Sequence, residues 1–375
     1  LFVRDGTYLI GQIALVTESD LPMLYQSHIL KFRVSDDAPV SPSLLMACLS
    51  TPVVKSQIRS KQFTADIIDT VGDRYKEIIL PVPRDLRVAA QISSEVKDLT
   101  TERSRLRDKI KKIPYWVQGD IATLDDSVPD DAIAEVVEHG NTGFSRALSS
   151  ISRGVFIPKY YDPDLEANFR RFARTHLMVS IGKLVKDGVL SWETGIEVGK
   201  MAYGTGPIPF IRTSDISNWE LKGDPKQAVS EEIYEANAQD MKAGDIFVVR
   251  DGTYLVGTSC ILTEKDTKIL YCGGLYKLRV KKRDEIDPYL LLAVLNAPIV
   301  RRQMRAKQFT RDIIDTLGKR LFEVFLPIPK DASLRARIVK ETREVIETRA
   351  KLRDRTKEIA REVEGSNAEW MDAEG

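Results

Sequence analysis

The chain is poor in the residues that mark most metal sites, disulfide frameworks and membrane segments. Its three cysteines, Cys48, Cys260 and Cys272, are an odd number without metal-ligand spacing, and its three histidines, His28, His139 and His176, form no cluster. A disulfide framework and a zinc site are thereby set aside, and Cys48, beside Ala47 in an apolar stretch, reads as core. No run approaches the roughly 18 apolar residues of a membrane helix, and no signal-peptide pattern opens the chain, so the expected location is the cytoplasm. An excess of one charge is missing too. Lys and Arg number 56 against 55 Asp and Glu, a net charge of +1, which excludes nucleic-acid binding through bulk charge and leaves only local patches.

Catalytic signatures are also absent. There is no Asn-Pro-Pro-Tyr or Asp-Pro-Pro-Tyr element to grip a flipped adenine and no glycine-rich loop after a strand to cradle S-adenosylmethionine. No Walker lysine motif and no Pro-Asp…Asp/Glu-x-Lys nuclease signature occur, and Gly204-x-Gly206 lacks the rest of a nucleotide fingerprint. The chain reads as a non-enzyme that carries no cofactor. With 375 residues and 43% hydrophobic content it has room for two or three domains with real cores.

What is present is a long internal repeat. Arg4-Asp5-Gly6-Thr7-Tyr8-Leu9 returns as Arg250-Asp251-Gly252-Thr253-Tyr254-Leu255, an offset of 246 residues. The same offset carries Lys61-Gln62-Phe63-Thr64 onto Lys307-Gln308-Phe309-Thr310 and Asp66-Ile67-Ile68-Asp69-Thr70 onto Asp312-Ile313-Ile314-Asp315-Thr316. Leu80-Pro81-Val82-Pro83 likewise becomes Leu326-Pro327-Ile328-Pro329, and Arg103 with Leu106-Arg107-Asp108 becomes Arg349 with Leu352-Arg353-Asp354. So long a period makes each copy a domain with its own core and predicts pseudo-twofold architecture suited to a ligand with two half-sites, of which DNA is one. About ninety residues before Arg250, roughly 157–246, have no counterpart before Arg4, so the first copy is expected to be the C-terminal half of its module in an N-terminally truncated chain.

The second copy supplies the element pattern. Ile157 to Pro163 looks like a loop, and Leu165 to Leu177 has helical character, with Leu165, Phe169, Phe172 and Ala173 on one face. Ser180 to Val185 reads as a short strand or helical turn before Asp187-Gly188. Strands are predicted at Phe210-Ile211-Arg212 and over 245–250, with Asp251-Gly252 turning the latter into Tyr254 to Gly257 as a hairpin. Ile269 to Tyr271 and Leu275 to Val280 continue the sheet, and helix follows from Pro288. After Leu-Pro-x-Pro, apolar residues recur at Ile338, Val345, Leu352 and Ile359, and at Ile92, Val96, Leu99, Leu106, Ile110 and Ile113 in the first copy. This is heptad spacing over about four repeats, with Thr342, Arg349 and Thr356 as polar seam positions. Two helices about 40 Å long follow at 1.5 Å per residue. They suit either independent packing on their own domains or, as favoured here, pairing with each other.

The predicted organisation is α+β: 1–83, a half module; 84–113, a coiled-coil helix; 114–155, a linker; 156–329, a full module; 330–363, a second coiled-coil helix; 364–375, a tail.

A module with Gly-Thr-Gly-x-Ile-Pro and Gly-Asp-Ile-x-x-x-Arg-x-Gly segments, closed by Leu-Pro-x-Pro, followed by a heptad helix and repeated, resembles the DNA-specificity subunit of type I restriction-modification systems. The resemblance covers Phe156 to about Val363 as a full module and Leu1 to Ile113 as a half module. It implies two target-recognition domains that read a split DNA sequence, held apart by antiparallel spacer helices. It implies double-stranded DNA and adenine methyltransferase subunits as partners, with a translocating endonuclease subunit as a further one. S-adenosylmethionine and ATP belong, on this resemblance, to the partner subunits. Two other readings stay open: the recognition region of a fused single-chain methyltransferase or restriction enzyme, and a coiled-coil scaffold that binds protein.

Three groups are the candidate DNA-contacting residues. The first is Arg301, Arg302, Arg305, Lys307, Gln308, Thr310 and Arg311, with the sparser Lys55, Arg59, Lys61, Gln62 and Thr64 in the first copy. Cations of this density suit phosphate, and Gln and Arg make paired hydrogen bonds to purine edges; a solvated helix face has the same composition. The second is Lys200, Tyr203, Thr205 and Arg212-Thr213-Ser214, around a glycine loop that lets backbone amides come close to a phosphate or base, or that simply packs. The third is Arg250, Thr253 and Tyr254, with Arg4, Thr7 and Tyr8 as twins, a turn that reads DNA or only closes a hairpin.

Overall fold

Alternation of short β-branched runs with proline-started helices builds both halves of the fold, which is described from a computed structural model. It describes residues 1–6, 9–65, 68–119, 143–151, 155–252, 254–311, 314–366 and 368–371. The chain divides into two compact units, Leu1–Arg107 with Arg349–Gly375, and Asp108–Thr348.

The first unit contains β1 (Phe2–Val3), β2 (Ile29–Leu30), α1 (Pro42–Leu49), α2 (Pro52–Lys61), β3 (Phe63–Ala65), β4 (Ile68–Thr70), β5 (Leu80–Pro83) and most of α3 (Leu86–Val117). Ser41 and Thr51 cap α1 and α2 by accepting the Leu44 and Val54 amides, and each helix opens on proline, whose missing N–H costs nothing in the first turn.

The second unit contains α4 (Pro163–Phe172), β6 (His176–Ser180), α5 (Ile181–Lys186), β7 (Leu190–Thr194), β8 (Ile208–Ile211), β9 (Ile216–Ser217), β10 (Glu220–Leu221), β11 (Ala228–Val229) and α6 (Glu231–Ala236). There follow β12 (Ile246–Val249), β13 (Ser259–Ile261), β14 (Leu270–Tyr271), β15 (Leu275–Val280), α7 (Pro288–Leu295), α8 (Pro298–Lys307), β16 (Phe309–Arg311), β17 (Ile314–Thr316), β18 (Phe325–Pro329) and the start of α9 (Ala332–Gly365). The last strand, β19 (Ala368–Met371), lies in the first unit.

An antiparallel sheet in the order β13-β12-β15-β7 and a small sheet β11-β8-β14, whose β8 and β14 run parallel, form the centre of the second unit. All four residues of β12 are buried, and Phe247 meets the Tyr271 ring at 4.6 Å across a core that includes Phe210, Ile211 and Leu270. Helix α7, apolar on every side, is correspondingly buried along almost its whole length.

Helices α3 and α9 run antiparallel in each unit. In the first, Ile92 and Val96 share a core with Ile359 and Val363, and Arg355 forks onto Glu95 at 2.5 and 2.9 Å. In the second, Lys109 pairs with Glu341, and Arg337 stacks on Trp116 at 5.2 Å. The heptad residues Ile338, Val345 and Ile359 are buried on α9, as are polar Thr342 and Arg349.

Several predicted boundaries move. Both long helices start two residues later than expected, because Asp85 and Asp331 accept the amides of Arg87 and of Ser333 and Leu334 as N-terminal caps. Helix α3 passes Pro114 and ends at Val117 rather than 113, with Trp116 and Val117 buried as anchors for the last turn. The helix expected to reach Leu177 stops at Phe172, since His176–Ser180 pairs with β18, Val179 opposite Leu326. Asp251-Gly252 is not a tight hairpin turn: β12 pairs with β13 at Ile246↔Ile261 and Val248↔Ser259, and the intervening loop sends Asp251 to Thr316 instead. Residues 368–371 of the expected tail pair with β5. The acidic stretch 120–138 expected as linker lies outside the described residues.

In the first unit Leu24 is 100% exposed, whereas its equivalent Leu270 is 0% exposed. Leu270 is covered through its pairing with β8, and among the described residues of the first unit no strand takes that place. Among the described residues no helix is long and apolar enough to cross a membrane.

Phe247→Ala should cost about 3–5 kcal/mol through lost burial and a cavity, whereas Met201→Ala, at a solvent-exposed position, should stay within about 0.5 kcal/mol. Urea denaturation of the two variants side by side checks this, and equal losses would contradict the placement of the core.

Candidate nucleic-acid interface

The third and first groups of candidate residues are brought together by one carboxylate. Asp251 accepts Thr316 Oγ1 at 2.5 Å on Oδ1 and the Arg250 guanidinium at 2.5 and 2.8 Å on Oδ2. The Gly252 amide donates to the Asp315 carbonyl at 2.9 Å, and the Leu317 amide to the Arg250 carbonyl at 2.9 Å. The loop after β12 is thus latched to the β16–β17 hairpin. Inside the hairpin Asp315 accepts Gln308 Nε2 and Thr310 Oγ1, each at 2.6 Å. These bonds, Thr310 foremost, hold the Asp315 carboxyl below the usual carboxylate range, helped by Lys159.

Residues 246 earlier make the same contacts in the first unit. Asp5 accepts Thr70 Oγ1 and Arg4, Gly6 donates to the Asp69 carbonyl at 2.9 Å, and Thr64 donates to Asp69 at 3.0 Å. Lys61 pairs with Glu77 at 2.7 Å as Lys307 does with Glu323 at 3.2 Å. Arg74 stacks on Phe63 at 5.0 Å and Arg320 on Phe309 at 4.0 Å. Helix α2 or α8 is fixed beside its hairpin by a glutamine that stands in for a strand. Gln57 exchanges hydrogen bonds of 2.9 and 2.8 Å with the Ile79 backbone, and Gln303 does so with Phe325 at 2.7 and 2.8 Å.

The cations of α8 differ in availability. Arg302 is held by Asp162 at 2.7 Å and Asp164 at 3.2 Å, so its charge is compensated within the fold. Lys307 lies 4.1 Å over the Tyr160 ring beside Glu323, and burial pulls its ammonium below the usual lysine value. Burial, with the charge of Arg305 added, brings Arg301 down to about 10. Arg305 and its equivalent Arg59 are exposed on the last turns of α8 and α2. Gln62 ends α2. Thr7, Tyr8 and Thr253 lie outside the described residues, as does the side chain of Arg311. Tyr254 projects into solvent.

The second group is built differently. Thr205 Oγ1 donates to the Ala202 carbonyl at 2.8 Å and accepts the Ser230 amide at 3.0 Å, so this hydroxyl holds the loop closed. Gly206 is required there, since a Cβ would fall 2.5 Å from Ser230 Cα. Tyr203 packs on Phe210 with ring centroids 5.7 Å apart, while Lys200 is exposed. The Arg212 amide donates to Asp215, whose carboxyl burial pushes up. Thr213 is placed near the latch: a Cβ on Gly274 would lie 2.9 Å from Thr213 Cγ2, and the Gly274 carbonyl accepts the Arg250 and Asp251 amides at 2.8 and 3.3 Å. Ser214 is half-buried in the same turn.

Sequence reasoning missed the holding residues: Asp69 and Asp315, Thr70 and Thr316, Arg74 and Arg320, Gln57 and Gln303. Their signal was recurrence at the 246-residue offset. Among the described residues no three His, Cys, Asp or Glu side chains converge on a metal site.

Thr316→Val removes the bond to Asp251 and another to the Gly318 amide at 3.1 Å. The variant should lose about 1–3 kcal/mol and exchange the Gly252 amide faster, read by denaturation and hydrogen exchange. In the first unit, Arg4 above all, then Thr70 and His28, holds the Asp5 carboxyl well below the usual carboxylate range. Its stabilisation is therefore complete above the unfolded value of about 3.9 and is lost as pH falls through the folded value. Thr70→Val should move the acid unfolding of this unit to higher pH; an unmoved transition would count against the latch.

No protein-family model matches the chain, and no curated protein does. Solved structures do. The crystal structure of the type I restriction-modification system S subunit from M. genitalium is similar at 13% identity and TM-score 0.38, over 86% of this chain and 71% of that one. A structure from work on complex assembly and conformational transition of the type I R-M system gives 18% identity and TM-score 0.32 over 86% and 71%. The HsdS subunit from Thermoanaerobacter tengcongensis gives 16% and 0.32 over 86% and 70%.

Proposed function

We propose that this chain is a sequence-specific DNA-recognition subunit that has no catalytic centre of its own and directs methyltransferase partners to a bipartite site. The observation that carries the reading is the recurrence of one latched hairpin, with a cation-bearing helix beside it, in each of two units. A site with two half-sequences needs two such readers, and the contacts the two units share suit the repeated backbone of a duplex. Helices α3 and α9, antiparallel in each unit, would serve as the spacer and as the docking surface for the methyltransferase subunits. The order of motifs that resembles type I specificity subunits supports the same assignment. Phosphate contacts come from Arg59 and Arg305, and base-edge contacts from the hairpins.

Genomic methylation mapping tests this in cells carrying the gene with its neighbouring methyltransferase. A split adenine-methylated motif should vanish when residues 156–328 are deleted; unchanged methylation would overturn the proposal. On the purified full chain, Arg59→Ala should weaken binding across DNA sequences and lower the slope of log K against log salt by about one.

A further inference from the structure

The loop joining β12 to β13 carries a large side chain that touches little of the fold. Tyr254 is 92% exposed. Single exposed aromatics are common on loose loops, but this loop is tied at both ends. The Gly252 amide is bonded to Asp315, the Gly257 amide to the Val249 carbonyl at 2.8 Å, and the Thr258 amide to the Leu255 carbonyl at 2.8 Å. Gly257 sits at φ +79° directly on α8, where a Cβ would lie 2.6 Å from Met304 Sδ and 2.9 Å from Arg301 Nη1. The left-handed backbone there favours glycine. The first unit has the same seat: Gly11 at φ +77° lies on α2, with a Cβ position 3.0 Å from Ile58 Cγ2, and its amide donates to Val3 at 2.9 Å. The loop that carries the ring is therefore fixed at Gly252 and at Gly257 and Thr258, a mount seated on α8.

Beneath the mount lies positive charge, the Arg301 guanidinium. Arg301 Nη1 is shielded from solvent and has no hydrogen-bond partner. Among the described residues no carboxylate pairs with Arg301, and the neighbouring charge that acts on it is the guanidinium of Arg305, one turn further along α8 and exposed. Leaving a half-buried cation unpaired is costly, and an anion from outside offsets that cost. A projecting ring on a loop seated against the Arg301 guanidinium matches a polyanion whose phosphates alternate with flat apolar faces.

We propose that Tyr254 inserts at a base step of the bound duplex as an aromatic wedge, while Arg305, backed by Arg301, takes the phosphate beside that step. The inference rests on the DNA-recognition reading above and assigns within it the residue that unstacks the DNA. Such a residue discriminates by the ease of deforming a step, which adds specificity without a base-edge hydrogen bond.

The test uses the full chain and a pool of randomised duplexes, from which a bound sequence is selected. That duplex is then remade with 2-aminopurine at each position in turn. One position should brighten severalfold on binding. Tyr254→Ala should abolish the brightening and weaken binding by roughly 5- to 150-fold, the loss of one base–aromatic contact. Because the ring is exposed, the variant should keep its thermal unfolding midpoint. Tyr254→Phe and Tyr254→Trp should keep the brightening, and Arg305→Ala should keep it while lowering the salt slope by about one. Persistence of the brightening in Tyr254→Ala, or its absence throughout with the unaltered chain, overturns the wedge and leaves DNA recognition standing. A pool that yields no enriched duplex removes both.

Discussion

Everything that makes the candidate interface a surface rather than two loose loops depends on the carboxylate of Asp251. One oxygen fixes Thr316 and the other fixes Arg250, so a residue at the end of the central β12 strand holds a hairpin 65 positions later in the sequence. The neighbouring amides of Gly252 and Leu317 complete the latch through backbone carbonyls, which satisfies groups that a surface loop would otherwise leave to water. Asp5 does the same for Thr70 and Arg4. A charge-assisted bond of this kind is stronger than a neutral one, and it also neutralises an arginine that would otherwise add to the field facing a ligand.

Compensation recurs in this chain's electrostatics. Among the described residues, several cations are answered inside the fold: Arg302 by two aspartates, Arg279 by Asp245 and Asp240, Arg355 by Glu95 and Glu362. Arg59 and Arg305 stand exposed at the ends of α2 and α8, and their use by a polyanion depends on the geometry in which they are held. Rigidity supplies that geometry. Gln57 ties α2 to Ile79 just before β5, Gln303 ties α8 to β18, and Gly11 and Gly257 seat a loop directly on these helices. The same economy applies to α3 and α9, where buried Thr342 and Arg349 interrupt the apolar seam and Arg349 donates to the Arg103 carbonyl at 3.4 Å. Polar seam positions lower the stability of a helix pair and restrict its register.

Much of this is legible in the sequence. Heptad spacing located both long helices to within a few residues, because burial along a seam demands that period regardless of context. The β12 strand is legible from its apolar run and β15 from its alternation of apolar and basic residues. The Asp-Gly hairpin was not, because a local turn signal competes with a distant acceptor and nothing in the sequence ranks the two. Arg302 and Arg305 stand three residues apart in one basic run, yet one faces Asp162 and Asp164 and the other faces solvent. Composition could not separate them, since the partner carboxylates lie 140 and 138 residues away in sequence.

The sequence by itself determined that one set of residues is used twice and that apolar periodicity places two long helices after two Leu-Pro-x-Pro segments. Tertiary structure decided which of the repeated polar residues hold the fold and which remain outside it. The physical reason is range. Periodicity and capping act over a few residues and can be read along the chain, whereas pairing Asp251 with Thr316, or holding Arg302 on Asp162 and Asp164, depends on which distant groups the folded core brings within hydrogen-bond distance.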